Sequence, residues 1–223
     1  LTVDWNPLVK MQVNNNDQKI YFSHPSGGSV HWYTDLANEL KENFDFYAFQ
    51  SRGKDDLKNF ETDIKKISAM YVDAMISSDP NGPYILGGWS YGVMIAFEMA
   101  QQLKAMGREV ERLLILDQGP VLTTDEPEDQ AELFETVFSN YFKVSAEDLK
   151  KMEPEEQSNW IFNQAKKHKL IPFWIRKSNF FNYVSILQAQ QKAWREYTPT
   201  SYDGKIYLFR AEENVDMYVL GDY

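Results

Sequence analysis

The segment from Pro83 to Met106 constrains the fold of this chain more than any other. It consists of an apolar strand pattern (PYILG), a short turn (GWSYG) and an apolar helix pattern (VMIAFEMAQQLKAM). A serine between two glycines at a strand-to-helix turn is typical of a nucleophile elbow, because glycine permits a tight turn and a close approach of helix to strand. The N–H groups that open the helix can then bind an oxyanion. We therefore take Ser90 as the candidate nucleophile.

Composition and charge exclude several other classes of protein. The 223 residues contain no cysteine, which excludes disulfides, thiolate metal sites and cysteine nucleophiles. The formal charge of −10 argues against nucleic acid or an anionic membrane as the main partner, because both attract basic surfaces. The sequence shows no signal peptide and no apolar run of about 18 residues. We expect a cytoplasmic protein without a bound metal and, since it opens on Leu1 and not on methionine, part of a longer polypeptide.

The order of apolar segments predicts the fold class. Five runs are interpreted as strands: Lys19–His24, Phe44–Gln50, Pro83–Gly87, Arg112–Asp117 and Lys205–Ala211. Their continuous apolar character is typical of strands covered on both faces of a parallel sheet. Helical patterns lie between them at His31–Asn43, Leu57–Ala74 and Tyr91–Met106. This alternation predicts an α/β fold with a mostly parallel sheet flanked by helices, and we assign residues 1–223 to a single domain.

The alternation stops between about 121 and 199. Nearly eighty residues show helical patterns without a convincing strand, which predicts an inserted helical lid. The first half of this insertion is acidic, with eleven Asp or Glu residues and three lysines from Asp125 to Gln157. The second half is aromatic and basic, and its cationic residues are Lys166, Lys167, Lys169, Arg176 and Lys177.

The loop His24-Pro25-Ser26-Gly27-Gly28, which we call the oxyanion loop, comes at the end of the strand KIYFSH. A glycine-rich loop at this place can offer a backbone N–H to an oxyanion, and the residue after the nucleophile can supply a second. The candidate oxyanion-hole donors are therefore Ser26 and Tyr91. The same residue types would serve equally well in an ordinary turn at the end of a strand.

A candidate acid ends the next strand. Asp117 follows RLLIL, and the carboxyl ends of parallel strands emerge at one edge of a sheet, so Asp117 is expected beside Ser90. There it could orient a histidine base. An aspartate at the end of a strand is also a common turn former. The acids after KIYLFRA stay open as rivals: Glu212, Glu213 and Asp216. We assign Trp89, next to the nucleophile, to the substrate-binding surface.

Taken in order, four segments resemble the thioesterase domains of nonribosomal peptide and polyketide synthases: NPLVKMQ, IYFSHPSGG, GGWSYGVMIAFEMAQQLKAMGREVERLLILD and YDGKIYLFRAEE. The resemblance implies an α/β-hydrolase fold. It implies that an acyl, peptidyl or polyketide chain, carried as a thioester on the phosphopantetheine of an upstream carrier protein domain, is transferred to Ser90 and released by hydrolysis or cyclisation. It also implies Asp117 as the acid and no cofactor bound by the domain itself.

The sequence departs from this family in its histidines. It contains only His24, His31 and His168, whereas the base of the family lies on a loop after the last strand, beyond Tyr223. His24 belongs to the oxyanion loop, His31 begins a helix and His168 lies in the lid, so we expect none of them to be the base. Because serine without a base is a weak nucleophile, we expect the final strand and the triad histidine to lie outside these residues.

Three alternatives remain open. A stand-alone editing thioesterase would share the fold and the chemistry, but the opening segment NPLVKMQ and an acid at Asp117 favour a synthase-borne domain. A carboxylesterase or lipase would prefer a nitrophenyl ester to a pantetheine thioester. A non-catalytic binding domain of the same fold would need no histidine.

Overall fold

A computed structural model describes residues 5–52, 60–117 and 127–212 of the chain. Its centre is a sheet of six strands in the order β1-β3-β2-β4-β5-β6. The strands are β1 Leu8–Gln12, β2 Gln18–Ser23, β3 Phe44–Phe49, β4 Tyr84–Trp89, β5 Val110–Leu116 and β6 Ile206–Phe209. Strand β1 is antiparallel to β3, and the other neighbouring pairs are parallel. The five expected strands and the mostly parallel sheet are confirmed, whereas β1 was not predicted.

Helices follow most of the strands. A 3-10 turn at His31–Tyr33 leads into the first helix, and the α-helices are α1 Thr34–Leu40, α2 Ile64–Ser78, α3 Tyr91–Ala105, α4 Gln130–Phe138, α5 Ala146–Leu149, α6 Pro154–Lys167 and α7 Lys177–Glu196. In the part of the chain that is described, no helix is both long and apolar enough to cross a bilayer.

The contacts divide the described chain into two compact units. One consists of residues 5–52, 60–117 and 192–211, and the other of residues 127–191 with Glu212. The second unit has its own apolar core, to which Phe134, Phe138, Ile161 and Phe180 contribute. Within the described residues no strand lies between Leu116 and Ile206, in agreement with the helical pattern of the sequence. The function of this unit as a lid remains a prediction.

Both faces of the sheet are buried, which explains the continuous apolar runs. In β2, Ile20 and Phe22 pack in the layer that includes Ala37 of α1. Tyr21 lies between them in sequence and packs in the opposite layer, which includes residues of α2 and α3. Successive side chains of a strand point to opposite faces, so one strand contributes to two apolar layers.

The ends of α2 and α3 follow from local sequence signals. The carboxylate of Asp63 accepts hydrogen bonds from the N–H groups of Lys65 and Lys66, so α2 begins at Ile64. Phe60 lies before the helix, contrary to the predicted helical pattern, and Leu57 lies outside the described residues. Helix α3 ends at Ala105, and the φ of 72° at Gly107 permits a Schellman motif in which Arg108 N donates to Leu103 O at 2.9 Å.

Candidate active site

Ser90 adopts the backbone conformation expected of a nucleophile elbow. Its φ of 54° and ψ of −129° are strained for a residue with a side chain, and such strain accumulates at functional sites. Ser90 is also the N-cap of α3, where a serine side chain usually accepts a hydrogen bond from the first turn. Its side chain makes no such bond. The half-buried hydroxyl is therefore available for chemistry.

The two glycines of the elbow allow close contact between α3 and the sheet. A Cβ on Gly88 would lie 2.3 Å from the carbonyl oxygen of Gly92. A Cβ on Gly92 would lie 2.3 Å from the carbonyl oxygen of Ser23 and 2.8 Å from that of His24. Real Cβ contacts are not this short, so both positions require glycine if helix and strands are to keep their distance.

The strand register brings the three predicted segments to one edge of the sheet. Ser23 of β2 is aligned with Gly88 of β4, and Trp89 of β4 is aligned with Leu116 of β5. The oxyanion loop, Ser90 and Asp117 therefore begin at nearly the same level on three adjacent strands. Neighbouring strands are about 4.8 Å apart, so this register places the segments side by side, as the sequence predicts.

The oxyanion loop is a well-defined turn fixed to the end of β3. The N–H of Gly28 donates to Pro25 O at 3.2 Å, with Ser26 and Gly27 as the central residues. The φ of Gly27 is 88°, which is typical of the third position of a type II turn. Ser51 N donates to Gly28 O at 3.0 Å, and a Cβ on Gly28 would lie 2.7 Å from the Cβ of Ser51.

The backbone N–H groups of Ser26 and Tyr91 donate to no acceptor among the described residues. Tyr91 is the first residue of α3, and the opening N–H groups of a helix have no partner within the helix. Both groups therefore remain able to donate to a ligand.

Tyr33 is a positioning residue that the sequence analysis missed. It is buried, and its hydroxyl donates to Ser23 O at 2.7 Å and accepts from Trp89 N at 3.2 Å. Burial raises the pKa of Tyr33 above its ordinary value of 10, so the hydroxyl stays protonated. Tyr33 thereby connects the end of β2 to the end of β4. The one sequence signal that could have indicated Tyr33 is its position as an aromatic residue in the predicted helix directly after the glycine-rich loop.

Asp117 has a positive φ of 70° and an exposed side chain. Its N–H donates to Phe209 O at 2.6 Å, and its Oδ1 accepts from Ala211 N at 3.2 Å. No described residue donates to its Oδ2, which can therefore accept from another group. Of the rival acids, Glu212 is exposed, and Glu213 and Asp216 lie outside the described residues.

The three histidines lie where the sequence placed them. His24 follows β2 and is buried, its Nδ1 lies 2.8 Å from Pro25 O, and burial lowers its pKa to about 4. His31 begins the 3-10 turn, with Nδ1 2.7 Å from the hydroxyl of Ser29. His168 ends α6 and stacks on Phe142 at 5.2 Å. Among the described residues, no histidine is hydrogen-bonded to Ser90 or Asp117.

Trp89 is half-buried beside Ser90 and packs edge-on against Trp32, with ring centroids 6.4 Å apart. It also contacts an apolar layer of the sheet. Its assignment to the substrate-binding surface remains a prediction. No group of three or more metal-ligating side chains occurs in the described ranges.

A thioesterase domain profile matches residues 18–168, which is more than half of the chain. This chain belongs to the thioesterase domain family. The thioesterase domain is 27% identical over 216 residues to atromentin synthetase from Tapinella panuoides. That match covers 93% of this chain and 23% of the relative, so the chain spans about a quarter of the length of such relatives.

Two solved structures have the same fold as this thioesterase domain. A four-domain nonribosomal peptide synthetase bound to AMP and glycine is 27% identical, with a TM-score of 0.79 over 94% of this chain and 17% of that protein. The NocB thioesterase domain, in covalent complex with a fluorophosphonate nocardicin G analog, is 21% identical, with a TM-score of 0.67 over 90% of this chain and 76% of that domain.

These comparisons confirm the family resemblance, the α/β-hydrolase-like fold and the assignment to the thioesterases. The roles of Ser90, Asp117, Ser26, Tyr91 and Trp89 depend on the geometry described above.

Proposed function

We propose that this thioesterase domain releases an acyl, peptidyl or polyketide chain from a phosphopantetheine thioester through an acyl-Ser90 intermediate. The proposal is carried by the strained backbone of Ser90 together with a hydroxyl that makes no capping hydrogen bond. Ser90 lies at the edge of the sheet, between the oxyanion loop and Asp117. Backbone strain combined with an unused hydroxyl is typical of a nucleophile and not of a structural serine.

In the acylation step, Ser90 Oγ attacks the thioester carbonyl while a base takes its proton. The N–H groups of Ser26 and Tyr91 stabilise the oxyanion that forms, because they are fixed donors without another acceptor. The tetrahedral intermediate then expels the pantetheine thiol, which receives the proton, and leaves an ester on Ser90. Water or a nucleophile within the acyl chain attacks this ester and releases an acid or a cyclic product.

Asp117 is the proposed acid of the triad. Its Oδ2 is available, and the hydrogen bond from Ala211 N to Oδ1 fixes the carboxylate. We propose that the base is a histidine of the complete polypeptide other than His24, His31 and His168. In support, His24 is buried and neutral, and His168 stacks on Phe142 in the helical unit. Asp117 would orient the imidazole and stabilise its charged form.

The proposed partner is a carrier protein domain that presents the acyl chain on its phosphopantetheine, with no cofactor bound by the thioesterase domain. The similarity to a synthetase and to a four-domain nonribosomal peptide synthetase supports this partner. A cytoplasmic location also remains part of the proposal.

The test uses protein produced with every residue that its gene encodes. We expect turnover of an acyl-pantetheine thioester to exceed that of the matching nitrophenyl ester, and intact mass to show a transient acyl adduct on Ser90. Ser178→Ala is the control, because this serine is exposed and among the described residues its hydroxyl donates to the side chain of its sequence neighbour Asn179. A preference for the nitrophenyl ester would favour a carboxylesterase, and an adduct elsewhere would exclude Ser90 as the nucleophile.

A further inference from the structure

Three buried polar atoms next to the nucleophile elbow have no hydrogen-bond partner among the described residues: His24 Nε2, Tyr91 Oη and Trp194 Nε1. Their side chains are 1%, 1% and 7% exposed, so bulk water does not satisfy them. Buried polar groups in native proteins are nearly always paired, with protein or with ordered water. Three such atoms in one place therefore indicate a shared partner.

The ring of Tyr91 lies beside each of the other two rings. The rings of His24 and Tyr91 are stacked with centroids 6.0 Å apart, and those of Tyr91 and Trp194 are 6.3 Å apart at 45°. A bridging water spans polar atoms separated by up to about 5–6 Å, or two hydrogen-bond lengths. The ring separations are therefore compatible with one water that contacts more than one of these side chains.

The chemistry of the three atoms is complementary to water. Pro25 O can only accept, so the proton of the neutral His24 ring lies on Nδ1 and Nε2 is an acceptor. The indole N–H of Trp194 can only donate, and the hydroxyl of Tyr91 can do either. A water that donates to His24, accepts from Trp194 and pairs with Tyr91 would make about three hydrogen bonds, which is usual for a buried water.

We propose that an ordered water molecule binds between His24, Tyr91 and Trp194 and connects three segments of the chain. These segments are the oxyanion loop after β2, the first turn of α3 and the end of α7. Because the backbone N–H of Tyr91 is a proposed oxyanion donor, the water would act through Tyr91 as a positioning element. That consequence rests on the proposed function, whereas the water site itself does not.

Thermal unfolding of the Tyr91→Phe variant tests the site by the sign of its effect. Removal of an oxygen that bonds to a buried water leaves the other partners unsatisfied, so Tm should fall. Removal of an oxygen that truly has no partner should leave Tm unchanged or raise it, and that result would overturn the proposal. Tyr197→Phe is the matched control, because the hydroxyl of this buried tyrosine donates to Glu98 Oε2 at 2.8 Å and its loss should lower Tm in either case.

The nitrogen signals of His24 give a readout that a general loss of packing would not reproduce. In ¹⁵N spectra of the wild type we expect a protonated Nδ1 and a hydrogen-bonded Nε2. The Nε2 signal should shift towards that of an unbonded nitrogen in Tyr91→Phe, and also in Trp194→Phe. An unchanged Nε2 signal in both variants would contradict the proposal.

A crystal structure that resolves ordered solvent completes the test. Density for one water within hydrogen-bond distance of His24 Nε2 and Tyr91 Oη is the expected result, and a direct bond between these two atoms without water would overturn it. None of the three measurements uses turnover. If Ser90 proves not to be the nucleophile, the proposed function fails while these results still decide the water site.

Discussion

Ser90 and Asp117 both adopt positive φ angles, 54° and 70°, at the first positions beyond two aligned strands. Residues with side chains rarely take this conformation, so its occurrence at two adjacent strand ends shows that both residues turn sharply out of the sheet. Each turn brings a polar side chain to the same edge of the sheet. This relationship is the geometric basis for assigning the two residues to one catalytic site.

The first prediction concerns the acid. In protein that includes the proposed histidine, Asp117→Asn should lower kcat for an acyl-pantetheine thioester by a factor on the order of 10⁴, because the imidazole loses its orienting anion. The fold should persist, since asparagine can still accept the hydrogen bond from Ala211. Steady-state kinetics and circular dichroism measure the two properties.

Glu212→Gln is the control for this experiment, because Glu212 is the one rival acid that the structure describes. It should retain nearly normal turnover. If Asp117→Asn keeps its rate while Glu212→Gln or Asp216→Asn loses it, the acid belongs to the segment after β6 and the assignment of Asp117 is wrong.

The second prediction concerns the contact between α3 and β2. Gly92→Ala should lower the free energy of unfolding by about 3 kcal/mol or prevent folding, because the new Cβ would lie 2.3 Å from the backbone oxygen of Ser23. Gly107→Ala is the matched control. Nothing lies within 4 Å of its Cβ, so only the positive φ opposes alanine there, at about 1–2 kcal/mol. Denaturant unfolding measures both, and equal effects would argue against the close contact.

The sequence predicted the elements that carry strong local signals. The run PYILG followed by GWSYG placed β4, Ser90 and α3 correctly, because an elbow needs glycines on both sides of the serine and an apolar strand and helix around it. The parallel arrangement also followed from continuous apolar runs. For this reason the sequence alone predicts that Asp117 lies beside Ser90 at one edge of the sheet.

Contacts between distant segments were not visible in the sequence. Strand β1, with the sequence LVKMQ, is only five residues long, and its antiparallel pairing with β3 depends on tertiary packing. The bridge formed by the hydroxyl of Tyr33 depends on a side-chain direction that no periodicity specifies. Likewise, the unpaired atoms around Tyr91 appear only when three separate segments pack together.

The third prediction concerns the pH dependence of stability. The pKa of His24 is about 4 in the folded protein, below its ordinary value of 6.5, so folding favours the neutral ring. The resulting stability is complete above pH 6.5 and is lost as the pH falls towards 4. Between pH 7 and pH 5 this contribution should decrease by about 2 kcal/mol.

His24→Asn should remove this part of the pH dependence, since an amide does not titrate in this range. The rings that face His24 are those of Tyr71 and Tyr91, which also stay neutral there because burial raises the pKa of both. The same substitution at the exposed His168 provides the control. If the free energy of unfolding changes with pH in the same way in wild type and in His24→Asn, the result would contradict a neutral, buried His24.

The fourth prediction concerns the carrier protein. The lysines of the helical unit differ in their contacts. Lys166 donates to Pro172 O and lies over the ring of Phe162, whereas Lys167 and Lys169 are exposed. Lys166 therefore fixes the local backbone, whereas Lys167 and Lys169 are suited to steer a carrier domain whose surface is acidic. Lys167→Glu/Lys169→Glu should slow reaction with carrier-bound acyl chains several-fold at low ionic strength.

The double variant should react normally with small free thioesters. Lys10→Glu/Lys41→Glu makes the same change of charge at exposed positions of the sheet-containing unit and should not slow the reaction with the carrier. Equal losses on both substrates would indicate damage to the helical unit. No loss on either substrate would assign the two lysines to a solvated surface without a docking role.

The most direct test of the account is labelling with a fluorophosphonate followed by peptide mass spectrometry, in protein produced with every residue that its gene encodes. Such probes react with activated serines, so we predict one adduct, on the peptide that contains Ser90, and none in Ser90→Ala. The variant should keep the circular dichroism spectrum of the wild type, because the Ser90 side chain makes no capping hydrogen bond. An adduct on another residue, or full thioesterase activity in Ser90→Ala, would contradict the assignment of Ser90 as the nucleophile.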